Sequence, residues 1–339
     1  MFSKLPIIVF VIIISTLNGI AQSKVGTTAA QFLGIPVGAK GIAMGGAFVA
    51  SATDATSLYW NPGAAAQTTN SEFVFSNTEW LVQTKFQWFG LLVKLDNENT
   101  FGVNITNLGY GEEEITTESS PEGTGERWSA NDFAFALSYS RRLTDKFSIG
   151  GSAKYVTQRI WNESASTMTF DVGLLYVTDF NGMRLGMSMS NFGGDLTLDG
   201  RDLYEKLDTE GESTLVGKLK TDAWPTPLFF RVGVAMDVIK NDMVTATLAV
   251  DALRPNDSDE SVNLGTEIGW QNMIFVRGGY KSFLSKESFY NRETQQEGLS
   301  LGAGLKYTME NIASIEVNYA FYKFGSFGNL NTIALAIGF

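Results

Sequence analysis

Acid–base and nucleophilic chemistry have little to work with in this chain. It contains no histidine and no cysteine, so the usual general base, the commonest transition-metal ligand, thiolate nucleophiles and disulfides are all missing. A hydrolase built on a Ser–His or Asp–His pair is excluded for the same reason. Carboxylates are abundant, but no motif fixes a nucleophile beside a base, and we expect no catalytic residue, no cofactor and no metal. Two acidic stretches, Glu112-Glu113-Glu114 with Glu118 and Glu122, and Asn256-Asp257-Ser258-Asp259-Glu260, carry the oxygens that calcium prefers. Neither has the alternating ligands and central glycine of a defined calcium loop, so solvated loop surface is the plainer reading.

A glycine-rich stretch, GAKGIAMGGAFVASATDATSLYWNPG over 38–63, could suggest phosphate binding. A dinucleotide fingerprint needs a hydrophobic strand before it and a helix after it, whereas Ser51 to Ser57 is small and polar. Its glycines instead permit close backbone packing or positive φ, and Trp60-Asn61-Pro62-Gly63 closes the stretch with turn chemistry. The net charge of −11 with no basic cluster argues against nucleic acid.

The elements around these residues are strands. Met1 to Ala21 has the layout of a secretory signal: Lys4, an apolar run from Ile7 to Ile14, and Gly19-Ile20-Ala21 as a small-x-small cleavage site. From Ser71 onward, segments of period-two polarity recur between turn signals. Phe133, Phe135, Leu137 and Tyr139 alternate with Ala134, Ala136, Ser138 and Ser140, and Phe230, Val232, Val234 and Met236 with Arg231, Gly233, Ala235 and Asp237. Mid-strand charges on the polar face include Asp171, Arg184, Arg231, Asp237, Asp251, Glu267, Arg277 and Glu316. They would be a solvent face in a soluble sandwich, or the lining of a wet lumen in a membrane barrel.

Fourteen antiparallel strands are expected near 71–82, 86–95, 100–110, 129–140, 146–160, 165–178, 182–193, 227–239, 243–253, 261–271, 273–283, 296–308, 312–323 and 329–339. Tight turns at 96–99, 141–145, 179–182, 240–242 and 310–311 contrast with longer connections at 111–128, 194–226, 254–260 and 284–295. Long connections after odd-numbered strands are what periplasmic turns and extracellular loops produce, with both termini periplasmic. The expected fold is therefore an all-β transmembrane outer-membrane barrel over residues 71–339, in contact with outer-membrane lipid, with residues 22–70 folded inside it as a hatch or plug. About half of Trp80, Trp88, Trp128, Trp161, Trp224, Trp270 and Tyr280 are expected in interfacial girdles.

The residues also carry a resemblance. The pattern G-A-x-G-x-A-M-G-G-A-F-V-A followed by D-A-T-S-x-Y-W-N-P-G resembles the N-terminal signature of the PorV/PorQ family, within the FadL-like outer-membrane barrels. The matching positions are Gly41, Gly45, Gly46, Asp54, Tyr59, Trp60, Asn61 and Pro62, which the resemblance places in the hatch. Gly63-Ala64 departs from it, where many relatives read Ala-Gly. Trp224-Pro225-Thr226-Pro227 leading to Arg231 and Gly233 resembles the family's entry to a mid-barrel strand, and the final Phe339 resembles the signal by which such barrels are recognised for assembly. Membership implies a component of the type IX secretion system, docking translocon or attachment proteins and the C-terminal signal domains of secreted cargo through extracellular loops. Trp128, Trp224 and Pro225 are the partner-loop candidates. The alternative is a FadL-type transporter of hydrophobic small molecules, to which a lumen lipid or fatty-acid ligand would belong.

Overall fold

The computed structural model describes residues 26–208, 214–284, 298–309 and 313–339. The expected signal sequence at 1–21 and the expected turn at 310–311 fall outside these residues, as does almost all of the expected connection at 284–295. Period-two alternation gives fourteen strands: β1 (Glu72–Glu79), β2 (Lys85–Lys94), β3 (Asn99–Glu114), β4 (Arg127–Arg142), β5 (Phe147–Ile160), β6 (Glu163–Val177) and β7 (Arg184–Gly193), then β8 (Phe229–Lys240), β9 (Val244–Pro255), β10 (Ser261–Trp270), β11 (Ile274–Leu284), β12 (Leu299–Met309), β13 (Ala313–Lys323) and β14 (Asn329–Gly338). Each pairs antiparallel with its neighbours in sequence. The ring closes where β1 meets β14, from Glu72 opposite Gly338 to Glu79 opposite Asn331.

Outer positions are apolar and exposed, among them Val172, Met187, Val250, Val276, Leu301 and Val317. Inner positions on the same strands are small or polar and buried, as at Ala134, Ala136, Ser138 and Ser140 on β4. An exposed apolar band around a closed sheet with a polar interior is the arrangement lipid requires, because no backbone edge is left unpaired.

Among the described residues, the connections at the end that holds Ser71 and Phe339 are tight, with the Phe339 amide donating to the Ser71 carbonyl at 2.9 Å. At the other end they range from the two residues Trp161-Asn162 to the long excursion between β7 and β8. The short β5–β6 turn departs from the expected long-after-odd pattern; Trp161 makes it by adopting φ 48°. Four further differences from expectation have local causes. β1 stops at Glu79 because Val82 and Gln83 take φ 53° and 59° and turn the chain. β3 and β4 run past a bulge between Gly109 and Glu112 as far as Glu114 and Arg127, so Trp128 sits on a strand and not in a loop. The 194–226 connection contains two ladders, Asp195–Thr197 with Ala223–Pro225 and Tyr204–Asp208 with Thr214–Lys218. Trp88 is 1% exposed on the inner face and belongs to no girdle; Trp161 and Trp270 are outward and exposed.

Residues 26–70 lie within the ring as short helical turns: Gln31–Gly34, Ala39–Ala43, Ser57–Trp60 and Pro62–Gln67. Ala43 and Met44 abut Gly302, Gly265 and Gly279 on β12, β10 and β11, Val49 abuts Gly186 and Gly233 on β7 and β8, and Leu58 abuts Gly102 on β3. Gly45 turns at φ 67°, and a Cβ there would lie 2.6 Å from the Tyr280 amide nitrogen, so this turn requires glycine both for its backbone and for its space. Gly63 and Gly173 meet backbone to backbone, with no room for a side chain on either.

The outer face predicts a specific sensitivity. Val250, near the middle of β9 and 45% exposed, should on Val250→Lys lose about 2–4 kcal/mol of folding stability in bilayers. Denaturant titration of the refolded barrel in liposomes checks this; an unchanged midpoint would contradict a lipid-facing position.

Candidate functional site

The polar residues that join residues 26–70 to the wall form the candidate site, in three groups. The first centres on Lys40 and Asp54, the only basic and the only acidic residue between 26 and 70. Lys40 Nζ lies 3.2 Å from Asp54 Oδ2 and 2.9 Å from Glu316 Oε2 on β13. Glu316 in turn faces Arg277 at 3.5 Å, and Arg277 pairs with Glu267 at 2.5 Å and donates to Asn318 Oδ1 at 2.7 Å. Asp54 also accepts from the Thr56 amide at 2.9 Å and from the Thr56 hydroxyl, while Glu72 Oε2 accepts from the Ala55 amide at 2.7 Å. Burial pulls Asp54 upward, but the Lys40 ammonium and the Thr56 hydrogen bonds outweigh it and hold the carboxyl below its ordinary value. Burial likewise opposes charge on Lys40, and Asp54 and Glu316 overcome it, holding the ammonium above its ordinary value. Both groups therefore stay charged at neutral pH.

Asn61 is the second group. It is fully buried, and its Nδ2 donates to the Val49 carbonyl at 2.9 Å and to the Leu174 carbonyl of β6 at 2.9 Å. Its Oδ1 accepts from the Gly63 amide at 3.0 Å, capping the turn that Pro62 begins. One side chain thus joins two parts of the inner segment to the wall. Beside it, Trp60 Nε1 donates to the Val37 carbonyl at 3.0 Å, and Gly41 lets the indole ring pack against its backbone.

The third group faces the end with the long connections. Asp251 Oδ2 accepts from the amides of Phe48 and Val49 at 2.7 and 2.8 Å. The Arg231 guanidinium lies 4.9 Å from the Phe229 ring and 5.6 Å from those of Tyr59 and Trp60, and donates to Ser190 Oγ at 3.3 Å. Asp171 pairs with Lys154 at 2.7 Å and accepts from the Asn191 amide at 2.8 Å; Asn191, at φ 64°, is held by Pro227 and Thr226. Outside these three groups, Arg184 and Asp237 pair at 2.7 Å near the chain-end rim, with Thr247 donating to Asp237.

Two cavities lie on either side of the inner segment. The one on the loop side has a volume of about 1110 Å³ and is walled by Tyr59, Trp60, Trp80, Tyr110, Trp128 and Arg231, among others. The one on the chain-end side has about 370 Å³ and is lined by Lys40, Asp54, Glu72, Glu267, Arg277 and Glu316. The acidic stretches considered for calcium have partners within the protein: Asp257 accepts from Thr28 of the inner segment, Glu114 accepts from the Gly125 amide at 3.1 Å, and Glu260 meets Arg254 at 3.3 Å. Among the described residues no three carboxylates converge on a metal site.

Of the partner-loop candidates, Trp128 is half-buried at the cavity mouth and Trp224 is exposed on its short ladder. The Pro225 carbonyl accepts from the Ala29 amide at 2.9 Å. Phe339 is 60% exposed beside the β1–β14 seam. Sequence reasoning missed Lys40, Glu72 and Lys154. Lys40 carried a readable signal, because a lone lysine and a lone aspartate in an otherwise uncharged, small-residue segment must satisfy each other if the segment is buried. Lys154 continues the inner-face series Gly150, Ser152, Lys154 on β5.

A family described as "Type IX secretion system protein PorV" matches residues 18–209. Among curated proteins none matches the sequence. Solved structures share the fold at low identity. One described as the CymD monoaromatic hydrocarbon channel has 13% identity and a TM-score of 0.56 over 90% of this chain and 97% of that one. The toluene transporter TbuX of Ralstonia pickettii has 12% identity and 0.55 over 89% and 97%. A Pseudomonas aeruginosa FadL homologue has 12% identity and 0.50 over 90% and 98%.

Removing Lys40 tests the first group. Lys40→Met leaves Asp54 and Glu316 buried without their shared cation, which should cost about 3–5 kcal/mol. We expect residues 26–70 to become protease-sensitive while the barrel keeps its heat-modifiable mobility on gels; unchanged protection would show that the pair does not hold the segment.

Proposed function

The chain belongs to the PorV family of type IX secretion system proteins, and from that premise we propose that it is a plugged outer-membrane docking barrel. It would not serve as the conduit for the exported polypeptide. The observation that carries this reading is the inner segment. It lies between two separate cavities and is fastened to β6, β9 and β13 through Asn61, Asp251 and Lys40. A polypeptide could pass only if these contacts were broken together, each leaving a buried polar group unpaired.

With the lumen occupied, the surfaces left for partners are the connections at the loop end, which we place outside the cell, with both termini in the periplasm. Among the described residues, the β3–β4 ribbon with Trp128 and the two ladders between β7 and β8 with Trp224 and Pro225 are the longest of these connections. They would engage translocon or attachment-complex proteins and the C-terminal signal domains of secreted cargo. A transporter of hydrophobic small molecules is the second reading, and the aromatic residues of the loop-side cavity favour it. The charged chain-end cavity below the segment weighs against a continuous apolar path.

Deletion of the gene should abolish secretion of type IX cargo, and the tagged protein extracted in mild detergent should co-purify with translocon or cargo chains. Intact secretion with no co-purifying partner would sink the proposal. In planar bilayers the wild-type barrel should be nearly non-conducting. Gly173→Val, whose side chain would collide with Asn61 Oδ1, should open measurable conductance; a large basal conductance would contradict a plug.

A further inference from the structure

The two cavities differ in charge. The chain-end cavity is balanced, with Asp54, Glu72, Glu267 and Glu316 against Lys40, Arg184, Arg277 and Lys306. The loop-side cavity is not: among the described residues, Glu113, Asp132, Asp251, Asp257 and Asp259 face Arg231 and Lys281. Three of these carboxylates, Asp132, Asp251 and Asp257, are themselves buried. Asp251 is 1% exposed, and while its Oδ2 is bonded, its Oδ1 has no hydrogen-bond partner. Arg231, the nearest compensating cation, stacks against three rings and donates to Ser190. Aromatic faces from Tyr59, Trp80, Tyr110 and Trp128 share the cavity wall with the acids. Carboxylates interleaved with aromatic faces are a receptor for an organic cation, which gains both ion pairing and cation–π attraction in a partly dehydrated space. Among the described residues these acids do not gather into a metal-binding group, so the walls suit a hydrated metal ion less well than an organic cation.

We propose that the loop-side cavity receives the side chain of an arginine or lysine carried on an extended polypeptide with apolar neighbours. This rests on the docking reading and names the chemistry of the docked chain. The cavity opens toward the loop end and is floored by Tyr59 and Trp60 of the inner segment, so the cation is held and not passed on. Its volume of about 1110 Å³ exceeds what a single side chain fills, leaving room for the flanking apolar residues against the rings. Rim acids Glu113 and Asp259, both exposed, would steer the approaching segment, and buried Asp132 and Asp251 would meet the charge at the end of its travel.

The probes are two fluorescent ten-residue peptides of alternating valine and threonine, capped at both ends, one with a central arginine and its twin with glutamine. With the full chain in detergent micelles, anisotropy should show the arginine peptide binding at least about tenfold tighter. Raising salt from about 50 to about 500 mM should weaken it. Asp259→Asn, at an exposed position, should reduce the arginine preference severalfold without affecting folding; Glu98→Gln at the opposite rim should leave it unchanged. Equal binding of the twins, or no effect of Asp259→Asn, would overturn the proposal, as would spermidine binding as tightly as the arginine peptide. Lost secretion on gene deletion with equal binding of the twins would refute this inference alone. Intact secretion with arginine-selective binding would instead refute the secretory reading and leave the chemistry of the cavity standing.

Discussion

Every backbone amide and carbonyl that crosses lipid has to find its partner inside the protein, and the seam between β1 and β14 is where this chain meets that demand. Without it the sheet would present two open edges to hydrocarbon. Once the seam is closed, other features follow. Side chains must alternate between a lipid face and an inner face, and a ring of fourteen strands encloses more space than its own inward side chains can fill. Residues 26–70 occupy that space. Their alanines and glycines fit because the facing strands are also cut back to glycine at Gly102, Gly150, Gly173, Gly186, Gly265, Gly279 and Gly302. Backbone meets backbone around the ring, and the small residues on the two sides answer each other.

Packing of small residues alone would leave the segment free to slide, since one glycine contact resembles the next. Directional bonds set the register. Asn61 reaches both Val49 and Leu174, Asp251 receives two successive amides, and Lys40 bridges Asp54 to Glu316. Buried ion pairs of this kind contribute little net stability compared with apolar contacts of the same size, but a misplaced partner is costly. Their value here is therefore positional: they penalise every arrangement of the segment except one.

Much of this was legible in the residues, for identifiable reasons. Strand existence and facing were readable because a one-residue slip would send Arg231, Asp237 or Glu316 into lipid, and the alternation around Arg231 and Glu316 is unbroken, while a bulge interrupts it just after Asp237. Strand ends were less readable. β1 ends early through left-handed Val82 and Gln83, residues whose types give no warning of positive φ. Trp88 looked like an interfacial ring because its type favours that site; its position in the inner-face series of β2 with Phe86 and Leu92 is the better guide. The ladders between β7 and β8 were hidden because short strands packed against the inner segment, as at Leu196 and Pro225, need not alternate. Asp54 was readable as a motif position, but its pairing with Lys40 was hidden differently: it depends on burial of the whole segment, a tertiary fact that only the isolation of the two charges in sequence hinted at.

The shared fold of this chain and the hydrocarbon channels raises the question of whether an apolar solute could pass through this barrel. Passage of an apolar solute needs a continuous greasy path, and any charged layer across it imposes a desolvation barrier of several kcal/mol. Here the layer from Lys40 through Glu316 and Arg277 to Glu267 lies on the chain-end side of the inner segment, directly beneath the aromatic loop-side cavity. A solute entering from the loops would meet rings first and then fixed, mutually satisfied charges. That order favours retention over transit, because the apolar part of the path ends where the charged part begins. The barrel wall is shared with those structures, and in this chain the polar side chains on the inner segment and the strands it touches close the apolar path on the chain-end side.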